Sequence, residues 1–326
     1  MSSIRSPIIG VAALLLLVAA ACGNDGSSDE SSTTTSEGAT TTQDSGGVDA
    51  TAIPLGDGKI SEAPRRGSLW SCMTDAMGGG AAVDGPWIHG DTWNMEEKVE
   101  VPGDVEWPQA MFTISVEDEE RVLTGNGLPR DATTGVFPIP GDSEAYEYDR
   151  NPNSIGEYDL EYRLPASPTL ADEPSCAPGM VGVATSGVVL FNAFDALLRD
   201  AVAHEVQDHC DGHPQESSVY HYHGLSACFD DPGTGHSALF AYALDGFGIY
   251  GTRGENGEEL SNADLDECHG HVHEITWDDE TVELYHYHAT IEFPYTVGCF
   301  RGTAVEGQPP GGGAAAGGAP QSGPPG

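Results

Sequence analysis

Basic residues are scarce in this sequence. Its 326 residues include 52 Asp and Glu against 12 Lys and Arg, and the formal net charge at pH 7 is -40. Lys59 and Lys98 are the only lysines. A field of this sign repels phosphate backbones and anionic lipid surfaces. The composition therefore predicts no nucleic-acid partner and no electrostatic docking on a membrane, and it leaves cations as partners.

Long hydrophobic runs are also missing, except near the N-terminus. Residues 8–21 are apolar, follow Arg5 and are too few to span a bilayer comfortably. They end in three alanines before Cys22, which resembles the lipobox of bacterial lipoproteins. We expect residues 1–21 to be a lipoprotein signal peptide and a lipid on Cys22 to be the one membrane contact. The protein would then be extracytoplasmic and anchored to the bacterial cell membrane. A secretory peptide followed by a chance cysteine is the alternative.

Two segments have little material for a core. Residues 23–50 contain no aromatic residue and consist mainly of Ser, Thr, Gly and acids, and residues 303–326 consist mainly of Gly, Pro and Ala. Such compositions bury too little apolar surface to offset the entropy of ordering the chain. We predict a disordered tether over 22–50, a single β-rich domain over 51–302 and a disordered tail over 303–326.

Short apolar or alternating runs between turn residues dominate the predicted domain, for example 111–116, 121–123 and 187–191. One amphipathic helix is predicted near 195–207, with Asp195 as its cap and Leu198, Val202 and Val206 near one face. The fold class is therefore mainly β, either β-sandwich-like or a mixed, β-rich α+β arrangement, stabilised by disulfides.

Apart from Cys22 there are six cysteines, and an even set in an exported protein favours disulfides over thiolate ligands. Proximity in the sequence favours Cys210 with Cys228 and Cys268 with Cys299, which leaves Cys72 for Cys176. Six cysteines allow fifteen connectivities, so other pairings stay open.

Histidine is abundant in one region. Eleven of the twelve His lie between His204 and His288. The same pattern, C-x-G-H, Y-H-Y-H and C-F, occurs twice there: Cys210–His213, Tyr220–His223 and Cys228–Phe229, then Cys268–His271, Tyr285–His288 and Cys299–Phe300. Two framed copies indicate a duplication, or two halves that must present the same group.

The alternation within Y-H-Y-H has a physical reading. Residues two apart in a strand share a face, so the tyrosines pack against the core while the imidazoles lie on the other face. If the two strands lie side by side, four imidazoles meet. Neutral imidazole suits Cu(II) or Zn, and the lack of free thiolates argues against Cu(I) and iron-sulfur clusters. The predicted ligands are His213, His221, His223, His271, His286 and His288. His269 and His273 are weaker candidates, and histidines that merely occupy the solvent face of a strand are the alternative.

Several carboxylates are candidates for supporting roles. Asp245, Asp266 and Glu267 are predicted to orient imidazoles or to bind a hard cation such as Ca, with turn capping as the alternative. If a metal activates water in a hydrolase, Glu205, Asp208 or Asp245 is the candidate base. The stretch from His204 to Asp208 lacks the second histidine of the zinc-protease HExxH helix.

The sequence resembles the YHYH-domain family of mostly exported proteins over about residues 111–302. The resemblance rests on several words in order: Gly187–Asn192, Asp195, His204-Glu205, Asp208, Cys210–Pro214, Tyr220–His223, Asp245–Gly251, Leu265–Cys268, Tyr285–His288 and Phe293–Phe300. It implies an exported setting and a joint role for the His words. It implies no reaction, because the family has no established activity.

Three functions therefore remain open. The first is an extracytoplasmic module that binds Cu or Zn through the repeated His motifs. The second is a metal-dependent hydrolase, and the third is a surface domain that binds a ligand or carbohydrate without metal. The sequence does not decide whether the protein is an enzyme.

Overall fold

The computed structural model describes residues 47–81 and 83–306. The predicted signal peptide, Cys22, most of the tether and the tail after residue 306 lie outside these residues. The described chain forms sixteen strands: β1 Ile53–Pro54, β2 Ile60–Ser61, β3 Leu69–Trp70, β4 Ile88–His89, β5 Thr92–Trp93, β6 Phe112–Glu117, β7 Glu120–Gly125, β8 Leu160–Pro165, β9 Met180–Ala184, β10 Val189–Phe191, β11 Gly212–Pro214, β12 Tyr220–Tyr222, β13 Leu239–Ala243, β14 Gly248–Tyr250, β15 Gly270–Trp277 and β16 Glu280–His288. The prediction of a mainly β protein is confirmed.

Helix is limited to short pieces in the described chain. These are α1 Ala145–Tyr148, α2 Ala201–His204 and two 3-10 turns, Met95–Glu97 and Glu216–Ser218. The helix predicted near 195–207 is thus a single turn. Leu198 has a φ of 61°, which a right-handed helix does not allow, and Asp200 caps the turn in place of Asp195. Glu205 ends it with an extended backbone.

Eight strands form one mixed sheet in the order β11-β12-β10-β9-β13-β14-β16-β15. Read outward from the centre, β9-β10-β12-β11 and β13-β14-β16-β15 are the same arrangement of consecutive strands. We call them the first and second half. In each half a hairpin is followed by a parallel pairing, β10 with β12 or β14 with β16, and then by an antiparallel edge strand. The duplicated sequence pattern therefore corresponds to a duplicated fold.

A local two-fold axis relates the halves. Val183 of β9 faces Tyr242 of β13, and the flanking pairs Gly182 with Ala243 and Ala184 with Ala241 exchange under the rotation. This axis is perpendicular to the plane of the sheet. Rotation about it therefore moves a side chain from one half to the other without changing the face of the sheet on which it lies. Equivalent groups of the halves therefore lie on one face. The strands that carry the His words, β12 and β16, are five strand spacings apart, about 24 Å along the sheet.

The core lies around the central strands and the tyrosines. All five residues of β9 are buried, as are Tyr220, Tyr222, Tyr285 and Tyr287. The tyrosines of Y-H-Y-H thus pack in the core, as predicted. The histidine face is buried as well, since His221, His223, His286 and His288 are at most 4% exposed.

Three smaller sheets, β1-β5-β4, β2-β3 and β6-β7-β8, complete the described fold. The three cysteine pairs expected from sequence lie at disulfide distance, with Cα separations of 5.1 Å for Cys72–Cys176, 5.0 Å for Cys210–Cys228 and 4.6 Å for Cys268–Cys299.

Described residues on both sides of the predicted domain, 51–302, also contact it. Val48 packs on the core, and the amide of Val305 donates to the carbonyl of Leu244. Within residues 47–81 and 83–306, no helix has the length and apolar character needed to cross a membrane.

Candidate metal centre

The turn before β11 explains the C-x-G-H motif. A carboxylate oxygen of Asp208 accepts hydrogen bonds from the amides of Cys210 and Gly212. Asp211 has a φ of 60°, and the Tyr220 ring packs where a Cβ of Gly212 would stand, so only glycine fits. The turn sets the antiparallel register that places His213 opposite His221.

The turn before β15 repeats this construction. Asp266 accepts from the amides of Cys268 and Gly270, and the Tyr285 side chain occupies the space beside Gly270. His269, with a φ of 78°, takes the place of Asp211. The result is His271 opposite His286.

Two of the three carboxylates predicted to orient imidazoles, Asp245 and Asp266, contact tyrosines, and so does Asp208, a candidate base. Asp208 and Asp266 accept from the hydroxyls of Tyr220 and Tyr285, and Asp245 accepts from Tyr287 at 2.6 Å and from the amides of Arg301 and Gly302. These bonds lie on the tyrosine side of the sheet, away from the imidazoles. Glu267 is exposed. None of the four belongs to a group of converging ligand atoms among the described residues.

The first centre comprises His213, His221, His223 and Glu205. One ligand nitrogen of each histidine lies within 4.8 Å of the others, and all three side chains are buried. Glu205, which is 8% exposed, places Oε2 3.4 Å from Nε2 of His213 and 3.5 Å from Nε2 of His223. Neither His213 nitrogen nor Glu205 Oε2 has a hydrogen-bond partner among the described residues.

Backbone carbonyls fix the tautomers in the first centre. Nδ1 of His221 faces the carbonyl of Val219 at 3.2 Å, and Nδ1 of His223 faces the carbonyl of Asn192 at 2.5 Å. A carbonyl only accepts, so both Nδ1 atoms carry the proton and both Nε2 atoms present a lone pair. These two Nε2 atoms lie 3.1 Å apart. With no proton between them they repel each other unless a cation lies beside both.

The second centre comprises His236, His273, His286 and His288. One ligand nitrogen of each lies within 4.8 Å of the others. The four Nδ1 atoms face backbone carbonyls at 2.7–3.0 Å, those of Ser237, Glu274, Leu284 and Gly251. The same reasoning leaves four Nε2 lone pairs, and those of His273 and His286 are 3.1 Å apart. His286 and His288 are buried, whereas His236 and His273 are partly exposed.

His271 borders the second centre without joining its converging set. Its ring centroid is 4.6 Å from that of His273 and 4.9 Å from those of His286 and His288. Its Nε2 atom is buried and has no hydrogen-bond partner among the described residues.

Burial keeps these imidazoles neutral. It lowers the pKa of His213, His221 and His288 well below the usual value, that of His223 and His271 to about 4 and that of His286 to about 2. Burial also raises the pKa of the Glu205 carboxyl well above its usual value. At neutral pH these six histidines are unprotonated, which is the form that binds metals.

Five of the six predicted ligands belong to the two converging sets, and His271 lies beside the second. The two strands do not lie side by side, so the four imidazoles of β12 and β16 do not meet, because four strands separate them. Sequence reasoning missed His236, which lies outside the repeated words, and assigned Glu205 only as a possible base. His209, Cys210 and Cys228 also lie close together, but their two sulfurs form a disulfide and are not free to bind metal.

The fold and its centres thus define a disulfide-linked, mainly β protein with two histidine clusters that could hold metal. Residues 161–259 match the model of the family described as YHYH protein, which confirms the resemblance over that range. The match includes the first His word and ends before the second. No curated protein and no solved structure matches the chain.

Proposed function

We propose that this protein is exported, is anchored to the bacterial cell membrane by a lipid on Cys22 and binds a transition metal, Cu(II) or Zn, at two centres. The export and anchor rest on the N-terminal apolar run and the small residues before Cys22. The metal binding rests on the geometry of the histidines.

One observation carries the metal proposal. In two histidines of the first centre and all four of the second, Nδ1 faces a backbone carbonyl and the Nε2 lone pairs converge. Histidines that bind metals usually donate their second ring nitrogen in this way, which fixes the ring orientation. In histidines with only a packing role, buried lone pairs that face one another would destabilise the fold, because each buried acceptor without a donor costs free energy.

The two donor sets suit borderline divalent cations. Imidazole nitrogen binds Zn and Cu(II) well, and a carboxylate is a common further ligand of Zn. In the first centre Glu205 also supplies a negative charge where a buried dication needs one. The acidic surface raises the local cation concentration without selecting the ion.

A hydrolase is the second candidate, and Glu205 is the observation that favours it, because a carboxylate beside three imidazoles can serve as a base. Its position argues for ligation instead. It is buried, and its oxygen lies at nearly equal distances from two imidazole nitrogens, whereas catalysis needs a water and a substrate position beside the base.

Elemental analysis of the purified protein, followed by titration of metal-stripped protein with Cu(II) and with Zn, tests the proposal. We expect the parent to bind about two equivalents of metal per chain. The double variant His221→Gln/His286→Gln should bind neither equivalent with the affinity of the parent. His89→Gln, a change at an exposed histidine, is the control and should bind like the parent. Equal binding by the double variant and the parent, or no binding by the parent, would refute the proposal.

A further inference from the structure

A surface cavity with a volume of about 370 Å³ lies on the tyrosine side of β15 and β16. Val272 and Tyr285, which pair with each other across the two strands, both line it. None of the proposed metal ligands of either centre lines it. The cavity is therefore a place for a ligand that is separate from the two metal centres.

Two arginines, Arg66 and Arg301, line this cavity. The guanidinium group of Arg66 makes no hydrogen bond and no ion pair with the described residues. Nε of Arg301 is buried, has no hydrogen-bond partner among these residues and lies 3.6 Å from Oδ2 of Asp266, with which it forms an ion pair. A buried donor without an acceptor costs free energy, and a ligand with carboxylate oxygens would recover it.

Two carboxylates also line the cavity, but each already accepts hydrogen bonds from its own turn. Oδ2 of Asp264 accepts from the amide and the hydroxyl of Ser261. Oδ1 of Asp266 accepts from two amides of the turn before β15 and from the hydroxyl of Tyr285. The two arginines thus have more donors than the cavity offers them acceptors. The acidic surface elsewhere acts weakly here, because salt at about 0.1 M screens exposed charges within about 10 Å.

Part of the remaining wall is apolar and exposed. Leu170 and Val272 line the cavity and are 48% and 50% exposed, although both are large hydrophobic residues. An apolar group that covers them gains free energy by burying this surface. A guanidinium group binds a carboxylate through two parallel hydrogen bonds. The two features together suit a molecule that carries a carboxylate beside an apolar group.

We propose that this cavity binds a small organic acid, with its carboxylate on Arg66 and Arg301 and its apolar part on Leu170 and Val272. The volume is at the lower end of the range for ligand pockets, which limits the ligand to a small molecule. The inference does not rest on the proposed metal binding. The site should therefore bind the acid whether or not the two centres hold metal.

Phenylacetate is the probe, and its neutral amide, phenylacetamide, is the matched control for charge. Isothermal calorimetry of metal-stripped protein should show that phenylacetate binds at least about tenfold more tightly than phenylacetamide. Arg66→Gln should remove this preference. Arg65→Gln, at a neighbouring exposed arginine that does not line the cavity, should retain it. Val272→Thr keeps the branched shape of the side chain and should weaken the binding of both compounds by about threefold.

Three results would refute the proposal. They are equal affinity for the two compounds, no binding of phenylacetate at about 10 mM, and the same loss in Arg65→Gln as in Arg66→Gln. The double variant His221→Gln/His286→Gln should bind phenylacetate like the parent. Loss of binding in that variant would place the acid at the histidine clusters and would also contradict the cavity site.

Discussion

The two halves of the large sheet share a backbone scaffold and differ in the side chains that supply the converging ligand atoms. The Asp-anchored turn, the glycine under a tyrosine and the carbonyls that hold Nδ1 are repeated. The donor sets are not. The first centre has three buried histidines with a carboxylate, and the second has four histidines with two partly exposed. We infer that the scaffold fixes the direction of the imidazoles, while residues outside the repeated words decide charge and access.

The largest expected effect separates the centres outright. His221→Gln should remove the first equivalent of metal and leave the second, and His286→Gln should do the reverse. Each loss should exceed the roughly 100-fold in affinity that removal of an outer-shell partner costs. Titration by isothermal calorimetry measures both. Loss of both equivalents in either single variant would contradict the independence of the halves.

The metal-free protein should lose stability in acid. The pKa of His223 is lowered to about 4 by burial, against 6.5 for an unperturbed histidine. Between these values the unfolded chain binds a proton that the folded chain does not, so the free energy of unfolding falls as pH drops from 6.5 to about 4. One fully buried histidine of this kind accounts for about 3 kcal/mol.

Urea unfolding of metal-free protein at pH 7 and pH 4.5 measures this effect. His223→Gln should make the fall smaller by the share of one histidine, since the other buried histidines whose pKa is lowered still contribute, and His89→Gln should leave it as in the parent. An equally steep fall in His223→Gln would place the acid sensitivity elsewhere.

The carboxylate should matter only in the first centre. Glu205→Gln keeps the shape of the side chain and removes its charge, so the first equivalent should bind about 30-fold more weakly and the second should be unchanged. The matched control is Glu267→Gln, at an exposed carboxylate of the second half. Unchanged affinity at the first centre in Glu205→Gln would show that Glu205 is not a ligand.

The smallest effect concerns Gln215, which follows His213 by two residues as His273 follows His271. The backbone amide of Gln215 donates to the carbonyl of Val219. In the second half, His273 pairs with Leu284 at the equivalent position. Gln215→His should add an imidazole to the first centre and tighten binding by about tenfold or less. His273→Gln should weaken the second centre. If Gln215→His instead weakens the first centre, the equivalence of the halves does not reach beyond β11.

The repeated local pattern predicted much of this molecule. Strand alternation placed the tyrosines in the core, the Cys frames gave the disulfide pairs, and five of the six histidines predicted as ligands lie in the two converging sets. Long-range placement was not predictable in the same way. His236 precedes β13 and approaches the second centre because the sheet places β13 next to β14, which in turn pairs with β16.

The errors also have physical causes. The periodic apolar residues near 195–207 suggested a helix, but a left-handed Leu198 and the capping bonds of Asp200 restrict it to one turn. Strands β12 and β16 are not neighbours, the arrangement that would have joined four imidazoles, because each pairs in parallel with the second strand of its own hairpin. That parallel pairing creates two centres in place of one.

The central claim is that Nε2 atoms of each half converge on a metal of their own. Anomalous scattering from crystals of the Zn-loaded protein tests it directly. We expect two peaks, one about 2.0–2.1 Å from Nε2 of His221 and His223 and one at the same distance from Nε2 of His286 and His288. A map with no peak at either cluster, or with zinc bound through Nδ1, would contradict it.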